Sequence, residues 1–140
     1  MTRELYAAIV TALESIKENG EQFVKHIDLW NQNVEFIEQE SPWLRPAVFV
    51  EFGTVQWKPL KSSVMTGELI MTLHIVTDYS GEREQLLKTF DILRMTAQAL
   101  AGIRGDGFHR CLLLDESVNH NHEDLVETTQ RYRIAVDITL

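Results

Sequence analysis

The sequence predicts an α+β fold of two layers, with a four-stranded, mainly antiparallel sheet and two helices packed on one face. Residues 67–79, 108–118 and 126–140 alternate apolar and polar side chains, which is typical of half-buried β-strands. Residues 3–19 and a second stretch beginning near residue 82 instead repeat apolar residues every three or four positions, as amphipathic helices do. Placing both helices on one face of the sheet buries every apolar stripe.

Composition sets broad limits on the class of protein. A chain of 140 residues is expected to form one domain, residues 1–140. The net charge is −8, so the chain lacks the excess of basic residues that is expected of a general nucleic-acid binder. The single cysteine, Cys111, cannot form an intramolecular disulfide and is expected to be a small core residue. No signal peptide and no membrane span are predicted, so we expect a soluble protein made in a cytoplasm.

The first forty residues begin with the clearest helix of the chain. Thr2 is a suitable cap for a helix over residues 3–19, and Asn19-Gly20 is interpreted as its C-terminal stop signal. Residues 23–30 are compatible with a short strand that ends at the polar residues 31–33. A helical turn is expected over residues 34–40.

The next segment contains two strands and the connection between them. Residues 47–52 are strongly apolar and are predicted to form a strand, which Gly53 ends or bulges. Residues 56–65, termed the arm, are longer than a tight hairpin needs, and Trp57 and Leu60 within it have no evident place in a core. An arm of this kind is expected to be mobile or to make contacts.

The centre of the chain is a strand, a turn and a helix. Alternation predicts that one face of the strand over residues 67–79 is buried. The following helix is expected to bury a second stripe, and two strands over residues 108–118 and 126–140 complete the sheet around a polar turn at 119–124. The predicted buried residues of the strand are Leu69, Met71, Leu73, Ile75 and Tyr79, and those of the helix are Leu86, Phe90, Leu93, Ala97 and Leu100.

No sequence motif points to catalysis. The glycines at 102, 105 and 107 follow a helix and precede a strand, which is the reverse of the order in a phosphate-binding loop, and neither GxSxG nor HExxH occurs. The sharpest polar cluster is the turn containing His120 and His122, whose rings would point to one side of an extended segment. A solvated turn is the preferred interpretation, and a small ligand- or metal-binding domain that uses His120 and His122 is the alternative. We therefore expect no catalytic residue, no cofactor, no metal and no enzyme activity.

The arm and the tryptophans are the best candidates for contacts with other proteins. All three tryptophans fall outside the best-defined elements, and tryptophan is enriched in interface hot spots. They could also simply cap the edge of the core. The predicted subunit or partner interface comprises Trp57, Lys58, Leu60, Lys61, Val64, Met65, Trp43 and Trp30.

The order of elements resembles a known family. A proline (Pro46) precedes an apolar strand, and an arm, a strand carrying Leu73, Ile75 and Thr77, a helix and a final pair of strands follow. This order is similar to that of the tail-terminator, or tail-completion, proteins of long-tailed bacteriophages. The resemblance covers residues 42–140 and the N-terminal helix, whereas residues 27–40 depart from the family.

The resemblance implies a structural role. Such proteins form a hexameric ring at the head-proximal end of the tail tube, stop its growth and join the tail to the head connector. The implied partners are further copies of the chain, the tail-tube protein and the head-completion protein. The implied locations are the virion neck and, during assembly, the cytoplasm of a bacterial host. DNA passes through the ring without sequence-specific binding, and the arm makes contacts between subunits or with the tail.

Overall fold

A computed structural model of the chain describes residues 1–31, 43–79, 81–119 and 124–140. Two helices and eight strands occur in this part of the chain. The helices are α1 (Thr2–Glu14) and α2 (Arg83–Leu100), and the strands are β1 (Lys17–Glu18), β2 (Glu21–Gln22), β3 (His26–Leu29), β4 (Ala47–Val55), β5 (Lys58–Lys61), β6 (Val64–Asp78), β7 (Phe108–Asn119) and β8 (Leu125–Thr139).

The main sheet has six strands, and the prediction of a four-stranded, mainly antiparallel sheet is wrong. The strand order is β3-β4-β6-β8-β7, with β5 paired to β6 and with β1 and β2 forming a separate two-stranded sheet. The main sheet is mixed, because β3 runs parallel to β4. A parallel neighbour is joined by a crossover and has no local hairpin signal in the sequence, so its pairing was not predictable from spacing. The broader α+β class fits the structure.

The longest pairing in the sheet joins β6 to β8. It runs without interruption from Val64 opposite Thr139 to Asp78 opposite Leu125. Alternate residues of these strands face the helices and are buried with residues of α1 and α2, so both helices lie on one face of the sheet. This core includes Leu5, Ile9, Leu13, Leu69, Met71, Leu73, Ile75, Ile92, Leu100, Tyr132, Ile134 and Val136.

The first helix is shorter than predicted, because Asn19-Gly20 is a hairpin turn. Helix α1 ends at Glu14, and β1 and β2 pair through Lys17 opposite Gln22 and Glu18 opposite Glu21. Asn19 and Gly20 have φ angles of 53° and 81°. Positive φ at both central residues is the requirement of a type I′ turn, for which Asn-Gly is the favoured pair. The same dipeptide also resembles a helix stop signal, which explains the error.

Helix α2 buries a stripe that overlaps only in part with the predicted one. Of the predicted residues, Leu100 is buried and Leu93 packs partly buried against the core, whereas Leu86 and Phe90 are exposed. The other buried positions are Thr89, Ile92 and Thr96. The two buried threonines satisfy their hydroxyl groups within the helix, since Thr96 Oγ1 donates to the Ile92 carbonyl at 2.6 Å and Thr89 Oγ1 to the Gln85 carbonyl at 3.1 Å. Hydropathy alone favours leucine and phenylalanine as the inner stripe, and the packing against the sheet selects the neighbouring one.

The remaining differences concern the ends of strands. Strand β4 continues through Gly53 to Val55 with a bulge, and a Cβ atom at Gly53 would lie 2.7 Å from the Ile70 carbonyl oxygen. Tyr79, predicted to be buried, is exposed beyond the end of β6. The helical turn predicted over residues 34–40 lies outside the described residues. Neither helix in the described part of the chain is long and apolar enough to cross a membrane.

Replacing Leu73 by alanine tests the central position of β6. Leu73 is fully buried between the helices and the sheet, so Leu73→Ala is expected to lower the free energy of unfolding by about 3 kcal/mol through lost burial and a cavity. Leu44→Ala removes the same atoms from an exposed side chain and is expected to change it by less than about 0.5 kcal/mol. Urea denaturation of both variants measures the difference, and equal effects would contradict the assigned core.

Candidate interaction surfaces

The arm is a β-hairpin rather than an irregular connection. Strand β5 pairs with the start of β6 through Lys58 opposite Thr66 and Pro59 opposite Met65. The other side of this part of β6 pairs with the end of β8. Because the first residues of β6 are paired on both sides, the base of the arm is fixed to the sheet.

The tip of the arm is exposed and positively charged. All four residues of β5 are exposed, and Leu60 has 61% of its surface accessible. Neither Lys58 nor Lys61 has an ion-pair partner among the described residues. Of the other predicted interface residues of the arm, Trp57 packs partly buried against the main core, and Val64 and Met65 are half-buried. Leu60 and the two lysines are therefore the side chains that the arm presents outward.

The structure places the two other tryptophans on the opposite face of the sheet from the helices. Trp43 is buried in a small second core with Ala47, Phe49, Val76 and Leu125, and Trp30 packs against this cluster. The Trp43 and Phe49 rings meet edge to face with centroids 5.0 Å apart. The structure brings Trp30 and Trp43 together but leaves Trp57 with the helix-side core.

His74 is the centre of a buried polar cluster beside Trp30. The imidazole and indole rings are stacked, with centroids 3.6 Å apart and planes 5° from parallel. His74 Nδ1 lies 2.8 Å from a Glu127 carboxylate oxygen, and Nε2 lies 2.6 Å from a Glu51 carboxylate oxygen. Each ring nitrogen of His74 therefore has a carboxylate oxygen within hydrogen-bond distance. The cluster thus ties three strands together and gives Trp30 a flat surface to pack on.

Sequence reasoning missed this cluster. His74, Glu51 and Glu127 lie on three different strands, and each alone resembles a polar residue on the solvent face. They meet because Phe49 and Thr129 stand opposite His74 in the neighbouring strands, so the two glutamates are its diagonal neighbours. Only the register of the sheet carries that information.

No metal centre is found among the described residues. No group of three or more histidine, cysteine, aspartate or glutamate side chains in residues 1–31, 43–79, 81–119 and 124–140 is arranged to hold a metal ion. Both nitrogens of His74 already face carboxylates. His120 and His122, the candidate ligands of the alternative hypothesis, lie outside the described residues.

Strand β7 forms an apolar edge that the sequence analysis did not identify. In the described part of the chain it pairs only with β8, so its outer side is an edge of the sheet. Two bulges interrupt the pairing, between His109 and Leu112 and between Leu113 and Asp115. Leu112 stands opposite Arg133 and Leu113 opposite Tyr132, so these two leucines point to opposite faces of the sheet, and both are accessible because they lie on an edge strand. The exposed apolar residues of β7 are Leu112, Leu113, Leu114 and Val118.

The two acidic residues of β7 accept hydrogen bonds from β8, and its cysteine is buried. Arg131 Nε donates to Asp115 Oδ1 at 2.9 Å, and this hydrogen bond lowers the pKa of the Asp115 carboxyl group. Glu116 accepts a hydrogen bond from the Gln130 amide at 2.7 Å. Burial raises the pKa of the Cys111 thiol to about 12, so this thiol stays protonated at neutral pH.

Two further features of the surface are less specific. Leu86, Leu87 and Phe90 form an exposed apolar patch on α2, and Phe90 has 61% of its surface accessible. A groove of about 740 Å³ lies at the base of the arm, on the face of the sheet opposite α1 and α2. It is lined by Lys58 and Arg110 beside Glu68 and Asp137. Its mixed charges and open shape do not define a ligand class.

Comparison with known proteins finds similarity in fold but not in sequence. No protein family model matches the chain, and no curated protein matches its sequence. Among solved structures, a chain from the virion of a native gene transfer agent particle is similar in fold, with a TM-score of 0.63 and 14% sequence identity. The match covers 96% of this chain and 95% of that chain. The two chains therefore share a fold along nearly their whole lengths.

Replacing His74 tests the buried polar cluster. His74→Ala removes a buried ring that contacts the carboxylates of Glu51 and Glu127 and on which Trp30 stacks, so the free energy of unfolding is expected to fall by about 3 kcal/mol. Thr72→Ala, on the same face of β6, is the control and is expected to cost less than about 1 kcal/mol. Urea unfolding measures both variants. An effect of His74→Ala no larger than that of the control would show that the cluster does not stabilise the fold.

The reactivity of Cys111 tests its burial. Because its pKa is raised to about 12, the thiolate that attacks labelling reagents is scarce at pH 8. Labelling of the native protein with a maleimide at pH 8 is expected to be at least about a hundredfold slower than labelling in denaturant, as for a buried and inert thiol. Mass spectrometry over time measures both rates, and rapid labelling of the native protein would contradict the assigned position.

Proposed function

We propose that this chain is a structural protein of a phage-like particle, and specifically a tail terminator. In this proposal, copies of the chain form a hexameric ring that caps the tail tube and joins it to the head connector. The observation that carries the proposal is the fold shared, over nearly the full length of both chains, with a component of a gene transfer agent virion. The order of elements that resembles phage tail terminators supports the same role.

The exposed surfaces are suited to assembly. A ring requires two different patches on each subunit, so that each copy contacts the next in the same way. The tip of the arm and the edge of β7 are two such patches, and a stable interface buries about 800 Å² on each partner. Val64, Met65 and Trp57 support the tip from the base of the arm. Trp30 and Trp43 lie on the face of the sheet opposite α1 and α2, and we propose that they lie at the border of a partner contact.

Two of the proposed partners are other proteins of the particle. The tail-tube protein and the head-completion protein would meet the two faces of the ring. The apolar patch on α2, with Leu86, Leu87 and Phe90, is available for one of these contacts. The net charge of −8 disfavours tight binding of DNA, which agrees with a ring through which DNA must move.

Assembly of the purified protein tests this proposal. Sedimentation velocity over a range of micromolar concentrations is expected to show a ring-sized oligomer, and negative-stain microscopy is expected to show rings. Leu60→Asp places a charge on the exposed apolar residue of the arm and is expected to shift the protein to monomer by at least about tenfold in the association constant. Leu44→Asp, on an exposed leucine outside the arm, is the control and is expected to assemble normally.

The role in the particle needs a second measurement. In a particle whose own gene for this protein is deleted, tails are expected to be of irregular length and not attached to heads, and supply of the wild-type protein is expected to restore both. A protein that is strictly monomeric at high concentration and does not associate with tails would contradict the proposal.

A further inference from the structure

The arm and the outer side of β7 lie at opposite edges of the sheet. At the end of the sheet that carries the arm, the strand order is β5-β6-β8-β7. Neighbouring strands are about 4.8 Å apart, so the arm and β7 of one chain are separated by about 14 Å. The base of the arm is paired into the sheet, and its tip cannot fold back onto β7 of its own chain. A second copy, however, can bring its arm to that edge.

The two surfaces are complementary in charge. Residues 56–65 contain two lysines and no acid, whereas residues 112–118 contain two acids and no base. Asp115 is already occupied by Arg131. Glu116 accepts only from the neutral amide of Gln130, and no cation lies within ion-pair distance of it in the described part of the chain. Its negative charge is therefore available to a lysine of another molecule.

The two surfaces also match in polarity. Leu60 is the exposed apolar residue of the arm tip, and it stands between Lys58 and Lys61. On β7, the three successive leucines at 112–114 have between 42% and 51% of their surfaces accessible. A long, exposed and apolar edge strand is unusual in a protein that stays monomeric, because it invites association with other chains.

A contact between the arm of one copy and β7 of another would be made by side chains rather than by extension of the sheet. Strand β5 is only four residues long and contains Pro59, which has no N–H group to donate to a neighbouring strand. The bulges in β7 further disturb the regular spacing that strand addition needs. Packing of Leu60 on a leucine of β7, with a lysine beside Glu116, does not require a regular ladder of backbone hydrogen bonds.

We propose that β7 is the receiving surface for the arm of the neighbouring copy. Leu60 of one copy packs on Leu113 of the next, and Lys58 or Lys61 pairs with Glu116. Leu113 and Glu116 stand opposite Tyr132 and Gln130, so they share the face of the sheet on which the helices lie. The contact joins unlike patches on opposite sides of the subunit, so it propagates from copy to copy as a ring requires. This inference rests on the proposed function, and it adds the identity of the surface that the arm binds.

Charge reversal on separate pools of protein tests the contact. One pool carries Lys58→Glu and Lys61→Glu, and the other carries Glu116→Lys. Within each pool the facing charges are alike, so the association constant is expected to fall by at least about tenfold. In an equal mixture, arms with glutamate meet edges with lysine, and unmodified arms meet unmodified edges. The mixture is expected to recover association to within about threefold of the wild-type protein.

Cysteine cross-linking distinguishes this contact from symmetric ones. In a Cys111→Ala background, one pool carries Leu60→Cys and the other carries Leu113→Cys. Oxidation is expected to give covalent dimers only when the pools are mixed. A dimer from the Leu113→Cys pool alone would instead show that two β7 edges face each other, and one from the Leu60→Cys pool alone would show that two arms meet. Either result overturns the inference.

The outcomes separate this inference from the proposed function. If the wild-type protein forms rings but the mixed pools neither recover association nor cross-link, the receiving surface is not β7, while the role as a ring-forming protein stands. If the wild-type protein forms no oligomer and does not associate with tails, both proposals fail. Circular dichroism and urea unfolding of each variant at low concentration confirm that lost association does not reflect lost folding.

Discussion

The uninterrupted antiparallel pairing of β6 with β8 is the constraint on which the rest of the structure depends. It sets the register over the full length of both strands, from Val64 and Thr139 at one end to Asp78 and Leu125 at the other. A slip by one residue would turn the buried side of each strand to solvent and the polar side to the helices. The buried rows of β6 and β8 give α1 and α2 one continuous surface on which to pack.

The same register determines which side chains meet on the face of the sheet opposite α1 and α2. It places Glu127 diagonally across from His74 on one side, and the pairing of β4 with β6 places Glu51 on the other. Both glutamates lie within hydrogen-bond distance of the His74 ring, and Trp30 completes the cluster by stacking on that ring. At the opposite end of the strands, the extension of β6 and β8 beyond β4 provides the base to which the arm is fixed. The stabilising cluster and the exposed arm are thus two consequences of one pairing.

A shared fold at 14% identity indicates how few residues this architecture specifies. A fold of this kind needs alternation at the buried positions, suitable turns and adequate packing, and many sequences meet those requirements. Fold alone does not establish function, which resides in particular surfaces. For this chain, we propose that those surfaces are the lysines and leucine at the tip of the arm and the leucines on β7. Their exposure in a single copy is the physical reason for the proposal that they take part in assembly.

The sequence by itself determined the local elements and the class of fold, because period-two and helical spacing act over short distances. Alternation correctly selected Leu69, Met71, Leu73 and Ile75 as the buried face of β6. Tertiary structure decided which of two apolar stripes α2 buries, that Asn19-Gly20 closes a hairpin, and that β3 joins the sheet in parallel. It also decided the partners of His74 and the exposure of β7. Apart from the hairpin, in which Lys17 pairs with Gln22, these outcomes depend on contacts between residues far apart in the chain, and a local pattern contains no information about such contacts. The Asn-Gly dipeptide is a local signal that fits both a helix end and a hairpin turn.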